Sequence, residues 1–249
     1  MFDAEKEKVK IVKYIRDYFK ANHLDGVVIG ISGGKDSGVV AGLFTEALGK
    51  ENVLGVSMPC HSRQSDYLDA LSVASFYGFE IVTIDLASTF DNFTDKISQL
   101  GEFSVEQLHN SNINFKPRLR MATLYYLAAL YSSIKHKTYI VAGTSNKCES
   151  FVGYFTKWGD GVSDINVLGD LTVEEVVKIG EVLHLPKEVL YKVPDDGLSG
   201  QSDEEKLGVS YQDITKYMNG EYLAKDIQEK ISTLHKNSLH KFGIPTYKK

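Results

Sequence analysis

Residues 30–37 read Gly30-Ile31-Ser32-Gly33-Gly34-Lys35-Asp36-Ser37, and their types suit phosphate chemistry. The run follows Val27-Val28-Ile29, which has the character of a buried strand, and precedes Val39-Val40-Ala41-Gly42-Leu43-Phe44, which reads as the start of a helix. A glycine-rich turn between strand and helix aims backbone N–H groups into one concavity, and the helix N-terminus adds partial positive charge. Ser32 and Ser37 contribute hydroxyl donors. Asp36 would repel a phosphate unless a cation lay between them, which points to nucleotide phosphates with Mg²⁺ held partly by Asp36. The alternative is a Gly-Ser turn with no ligand. Two commoner phosphate motifs are excluded. The Walker pattern needs Gly where Ile29 stands and Ser or Thr where Asp36 stands, and G-x-G-x-x-G fails because Ser32 follows Ile31.

Two further clusters carry chemistry. Ala142-Gly143-Thr144-Ser145-Asn146-Lys147-Cys148-Glu149-Ser150 offers a hydroxyl at Thr144 and a carboxylate at Glu149, so Asp36 and Glu149 form a candidate Mg²⁺ pair. On local sequence alone the favoured reading is instead Thr144 as a helix N-cap and Glu149 as a solvated carboxylate. The run from Gly153 to Ile165 is rich in glycine and aromatics and holds the single Trp, Trp158. Its aromatic faces suit stacking on a heterocycle and Lys157 suits an anion, or the run is a surface loop pinned by Trp158.

Strand ends and helix starts must position these groups. Residues 4–20 carry Val9, Ile11, Val12, Ile15, Tyr18 and Phe19 at helical spacing, and the helix after the glycine run extends to about Leu48. Strands are expected at 27–29, 52–57, 79–84 and 139–142. Helices are expected at 63–77 (core positions Leu68, Leu71, Val73, Ala74 and Phe76), at 88–109 with a break near Gly101, and at 116–134. Strands separated by helices imply an α/β fold, a doubly wound parallel sheet with helices on both faces. Such sheets bind ligands beyond the carboxyl ends of their strands, where Ser32 and Gly143 both fall.

The chain has 249 residues, 43% of them hydrophobic, and a net charge of −5, which argues against a nucleic-acid footprint. No apolar run approaches membrane-spanning length, and the mixed-charge N-terminus lacks a signal-peptide core. Cys60 and Cys148 form no C-x-x-C pair, and reduced thiols in a cytoplasmic protein are the expectation.

The S-G-G-x-D-S pattern of residues 32–37 is the signature of the ATP pyrophosphatase (PP-loop) superfamily, whose adenine nucleotide alpha hydrolase-like fold this chain is expected to share. The ordered set that follows resembles ammonia-dependent NAD⁺ synthetase over almost the whole chain. It comprises Lys116-Pro117-Arg118-Leu119-Arg120-Met121, Gly143-Thr144 with Glu149, Gly153-Tyr154-Phe155-Thr156-Lys157, Gly159-Asp160-Gly161 with Asp164, Gly200-Gln201-Ser202-Asp203-Glu204 with Leu207-Gly208, and His240-Lys241.

The resemblance implies that Gly30, Ile31, Ser32, Gly33, Gly34, Lys35, Asp36, Ser37 and Thr144 hold ATP, the co-substrate. It gives Mg²⁺ to Asp36 and Glu149, and deamido-NAD⁺ to Arg118, Lys157, Asp164, His240 and Lys241. Asp36 and Asp164 are the expected catalytic residues, the latter orienting the nicotinyl end or ammonia. By composition alone, Arg118 reads as a water-facing residue and His240-Lys241 as part of a disordered polar tail. Pro194 to Asp203 resembles a loop that orders over ATP. Two positions depart from the pattern. Val173 stands where many members place an ATP-contacting Lys, and Asp195 where Ser or Thr is usual, with Lys178, Lys192 or Lys35 able to compensate.

Residues 1–249 are expected to form one synthetase domain, with no glutaminase domain, using free ammonia; the resemblance implies a homodimer, and the helix at 116–134 is apolar enough either for its interface or for plain core. Other readings are a different PP-loop ligase, a non-catalytic ATP-binding module, or an interaction protein.

Overall fold

The computed structural model describes residues 2–192 and 202–248. Helix α1 (Ala4–Ala21) starts at Asp3, whose side chain accepts the Lys6 N–H, and buries Ile11, Val12, Ile15 and Phe19. Val9 instead lies on its exposed face. Strand β1 (Gly26–Gly30) leads through the glycine turn into α2 (Lys35–Leu48). Strand β2 (Val53–Ser57), helix α3 (Gln64–Tyr77), strand β3 (Glu80–Thr83) and helix α4 (Ala87–Ser98) follow. On α3 the buried residues are Ala70, Val73 and Ala74. Leu68 and Phe76, expected in the core, are exposed.

The expected division of residues 88–134 needs correction. Helix α4 stops at Ser98, and one long helix, α5 (Val105–Lys135), runs through Pro117. Ser104 and Gln107 form a reciprocal capping box that starts it, and such a box satisfies two otherwise orphaned N–H groups. Pro117 removes one backbone donor but leaves the helix continuous.

Strand β4 (Tyr139–Gly143), helix α6 (Lys147–Val152) and strand β5 (Ile165–Asn166) complete the sheet. Its order is β3-β2-β1-β4-β5, and every pairing is parallel. The fifth strand was not expected: two residues after a glycine-rich loop carry no periodic signal. Residues alternate across β1. Val27 and Ile29 join the core formed with α1, α2, α3 and, later in the chain, α7 (Val173–Val182) and α8 (Lys187–Leu190). Val28 joins the opposite core with Leu86, Phe90, Leu127 and Ala128 from the α4–α5 side. This is the expected doubly wound arrangement. Phe44 is fully buried on the first face, and such burial contributes about 1.5–3 kcal/mol.

A third core joins α6 to α9 (Asp203–Leu207), α10 (Tyr211–Met218) and α11 (Lys225–Ser238) through Cys148, Val152, Leu207, Ile214 and Ile231. The chain leaves α11 in a short 3₁₀ turn, Leu239–Lys241. Among the described residues no helix is long and apolar enough to cross a membrane.

Candidate active site

The sheet order reverses direction between β1 and β4, and the turns after both strands open at that point. A crevice at such a switch point is where open α/β sheets take ligands. Gly30 closes β1, and the Ile31 N–H still donates to Val56 O at 2.9 Å. Gly33 has φ +80°, and a Cβ there would lie 2.4 Å from the Asp66 carbonyl oxygen, so a larger residue would displace α3. The two serines hold the turn. Ser37 Oγ accepts the Ser32 N–H at 3.2 Å and donates to Gly34 O at 3.0 Å, while Ser32 Oγ accepts the Gly34 N–H at 3.3 Å. Gly34 caps α2 without a side-chain bond, which leaves first-turn N–H groups available to an anion.

Across the switch point, Asn146 rather than Thr144 caps the next helix. Its Oδ1 accepts the Glu149 N–H, and Glu149 Oε2 accepts the Asn146 N–H, both at 3.1 Å. Asn146 Nδ2 donates to Asp36 Oδ1 at 3.3 Å. One buried asparagine thus ties together the two carboxylates expected to act as a pair. Asn146 was not among the expected site residues, although the N-x-x-E spacing that makes it a cap was readable. Thr144 is part-buried just beyond β4.

Charge is concentrated here. Burial, then the negative charge of Asp36, holds the Glu149 carboxyl well above the ordinary carboxylate range. Lys35 is 6% exposed, and its Nζ lies 3.0 Å from Asp36 Oδ2. Burial works against its ammonium, but the attraction of Asp36, Glu149 and Asp203 outweighs that, and its proton is held more tightly than an ordinary lysine's. Asp203, which the sequence placed in the family-like run 200–204 but not among the nucleotide- or metal-binding residues, is buried and accepts from the Tyr154 and Tyr211 hydroxyls at 2.9 and 3.4 Å.

Oxygen donors, like-charge crowding and an anion-binding turn fit a Mg²⁺–nucleotide. Among the described residues no three His, Cys, Asp or Glu side chains converge as a complete cage.

The remaining expected residues form a second group on the other side of β4. Asp164 stands just before β5; its Oδ2 accepts the Val141 N–H at 2.8 Å and its Oδ1 the Tyr125 hydroxyl at 3.2 Å. Burial and the Asp164 charge push that tyrosine up to about 12. Arg118 reaches from α5 to Lys157 O at 3.3 and 3.4 Å, so it does not simply face water. Lys157 Nζ donates to His240 O and, at 3.5 Å, to Gly243 O. Lys241 Nζ donates to Gly153 O and Phe155 O, both at 2.7 Å. Burial lowers the affinity of that lysine for its proton. The His240 ring stays local, with Nδ1 2.8 Å from Asn237 O. The residues expected in a disordered tail are therefore docked on the aromatic loop, with Phe242 edge-on to Phe155 at 5.4 Å. Gly153 ends α6, so this one short helix connects the two groups.

Of the departures, Val173 packs into the third core rather than offering a charge. Lys178 is exposed on α7. Lys192 donates to Asp66 and Asp69 at 2.7 and 2.5 Å, beside the Gly33 turn. Asp195 and most of the expected ATP-covering segment lie outside the described residues.

This sheet, with its serine-pinned glycine turn and acidic pair at the switch point, defines an adenine-nucleotide enzyme of the PP-loop α/β class. Comparison with known proteins narrows that class. Residues 7–244 match the family described as NAD synthase. The NH(3)-dependent NAD(+) synthetase of Carboxydothermus hydrogenoformans is 36% identical over 97% of this chain and 96% of its own. The protein of that name from Alkaliphilus metalliredigens is 37% identical over 95% of each. Among solved structures, an NMN synthetase from Francisella tularensis aligns with TM-score 0.89 and 32% identity, covering 100% of this chain and 99% of that one. The NH3-dependent NAD synthetase from Campylobacter jejuni aligns with TM-score 0.78 and 29% identity over the full length of both. The chain belongs to the NAD synthase family.

Proposed function

We propose that this protein is an ammonia-dependent NAD⁺ synthetase, a carbon–nitrogen ligase that converts deamido-NAD⁺, ATP and ammonia into NAD⁺, AMP and pyrophosphate. The observation that carries the reading is the Asp36–Asn146–Glu149 arrangement facing the glycine turn at the switch point of a sheet from this family. The nicotinate carboxylate oxygen bonds to the α-phosphorus of ATP as the bond to pyrophosphate breaks. Ammonia then bonds to the acyl carbon, loses a proton, and AMP leaves. The chain supplies position and charge rather than a covalent nucleophile.

Residues 30–37 and Thr144 hold the ATP phosphates, with turn amides and the α2 N-terminus stabilising the departing pyrophosphate. Asp36 and Glu149 would hold Mg²⁺, which would supply charge neutralisation for the leaving group. Arg118, Lys157, His240 and Lys241 bind the pyridine nucleotide, and Asp164, fixed by Val141 and Tyr125, orients the nicotinyl end or the ammonia. We read residues 1–249 as one synthetase domain that takes free ammonia in the cytoplasm, a setting that suits the free thiols of Cys60 and Cys148. A homodimer is supported by α5, which exposes Tyr126, Leu130 and Ile134 at four-residue spacing. Light scattering that gives the mass of one chain would overturn the dimer.

A second reading concerns the acceptor. The alignment to the NMN synthetase is tighter than that to the Campylobacter jejuni NAD synthetase, which favours testing the deamidated mononucleotide, whose reacting carboxylate is the same. The decisive assay is pyrophosphate release from MgATP with each nucleotide, with and without ammonium, following the amide product by mass. Formation of NAD⁺ supports the synthetase. Turnover of the mononucleotide alone shifts the substrate. Absence of turnover with either, despite ATP binding, leaves another PP-loop ligase or an ATP-binding module.

A further inference from the structure

Lys35 is an unfavourable residue for its position. A helix N-terminus carries partial positive charge and disfavours a cation in its first turn. A buried ammonium is destabilising unless it is paired. Lys35 meets both penalties, as the first residue of α2 with a side chain only 6% exposed.

Carboxylates offset those penalties. The Lys35 Nζ lies 3.0 Å from Asp36 Oδ2. The other Asp36 oxygen accepts from Asn146, which also holds Glu149. Glu149 and Asp203 attract the same ammonium, and both Asp36 and Asp203 repel Glu149. Asp36, at the start of α2, is thus the direct partner of the ammonium, while Glu149 on α6 and Asp203 on α9 attract it without a contact. One oxygen of Asp36 is therefore already occupied by a cation.

We propose that the Lys35 ammonium is the resident counter-ion of Asp36, and that a divalent cation must compete with it for that carboxylate. The inference rests on the reading of Asp36 and Glu149 as the metal-holding pair. Lys35 weakens divalent-ion binding to the nucleotide-free protein in two ways: it occupies a donor oxygen, and it repels the incoming charge. The added negative charge of a triphosphate restores the balance, so cation and nucleotide bind more tightly together than either does alone.

The test uses Mn²⁺ as the probe, with free ion followed by electron paramagnetic resonance in the nucleotide-free, full-length chain. Lys35→Met, close to lysine in shape, is expected to bind Mn²⁺ about tenfold more tightly than the natural protein, or more. Lys35→Gln keeps a donor for Asp36 and removes only the charge; it gives the same direction if the methionine variant does not fold. Equal or weaker binding in the folded variant overturns the counter-ion role. If Asp36→Asn still lowers Mn²⁺ binding in that case, the metal pair stands while the proposal falls. If Lys35→Met gains affinity but adding Asp36→Asn leaves the gain intact, the ion lies elsewhere, and the proposal falls together with the metal reading.

Discussion

The two groups of the site are built differently. The group proposed to hold the nucleotide is built on a backbone turn pinned by its own serines between β1 and α2, both set in the central core. The group around Arg118, Lys157 and Lys241 is side chains reaching carbonyl oxygens across 39 to 88 residues of sequence. The contrast teaches that rigidity is allotted by chemistry. Phosphate transfer needs donors that do not move as charge develops. A large, chemically mixed substrate needs cations whose present partners, neutral carbonyls, compete only weakly with a ligand anion.

The largest effect that would sharpen this contrast is expected at Asp36. Asp36→Ala should lower the rate of pyrophosphate release by about a thousandfold, with circular dichroism unchanged; near-normal turnover would remove Asp36 from the mechanism. Next come the cations of the second group. Arg118→Ala and Lys157→Ala should each raise KM for the pyridine nucleotide by roughly ten- to a hundredfold, the scale of one charge-assisted hydrogen bond. KM for ATP should stay within about threefold in both. An equal rise for both substrates would break the division into two groups.

Glu149 offers a pH test. Its carboxyl titrates well above its unfolded value. Its contribution to stability is therefore fully present below the unfolded value and is lost as pH rises through the raised folded value. In metal-free protein, Glu149→Gln should be more heat-stable than the natural protein above that folded value. The difference should shrink as pH falls toward the ordinary carboxylate range. A difference in melting temperature that does not vary with pH would exclude the buried charge as its cause. The smallest effect is expected at Tyr125→Phe. It removes one of two hydrogen bonds to Asp164, worth about 1 kcal/mol or roughly fivefold in kcat/KM. An unchanged value would show that Val141 alone orients the carboxylate.

Much of the nucleotide group was legible because it is contiguous. Gly33 and Gly34, the flanking serines and Asp36 sit within six residues between a strand and a helix, and turn chemistry reads such runs directly. The break expected near Gly101 does separate α4 from α5, but the continuity of α5 through residues 110–115 was not legible, because that polar stretch carries little apolar spacing and is held by the Ser104 capping box and the packing of α5 on the sheet. Val9, Leu68 and Phe76 were misplaced for a related reason. Apolar spacing identifies a helix, but which of its apolar residues meet the sheet depends on the angle at which the helix lies.

By itself the sequence determined the alternating βα architecture, the glycine turn and the acidic residue beside it, since each is encoded in local periodicity and steric freedom. Only the tertiary structure decided that Asn146 bridges Asp36 and Glu149, that Asp203 comes near enough to attract the Lys35 ammonium, and that residues 240–243 dock on the aromatic loop. Those contacts join residues tens of positions apart. Their energies depend on burial and distance, and neither exists until the sheet has brought its strand ends together.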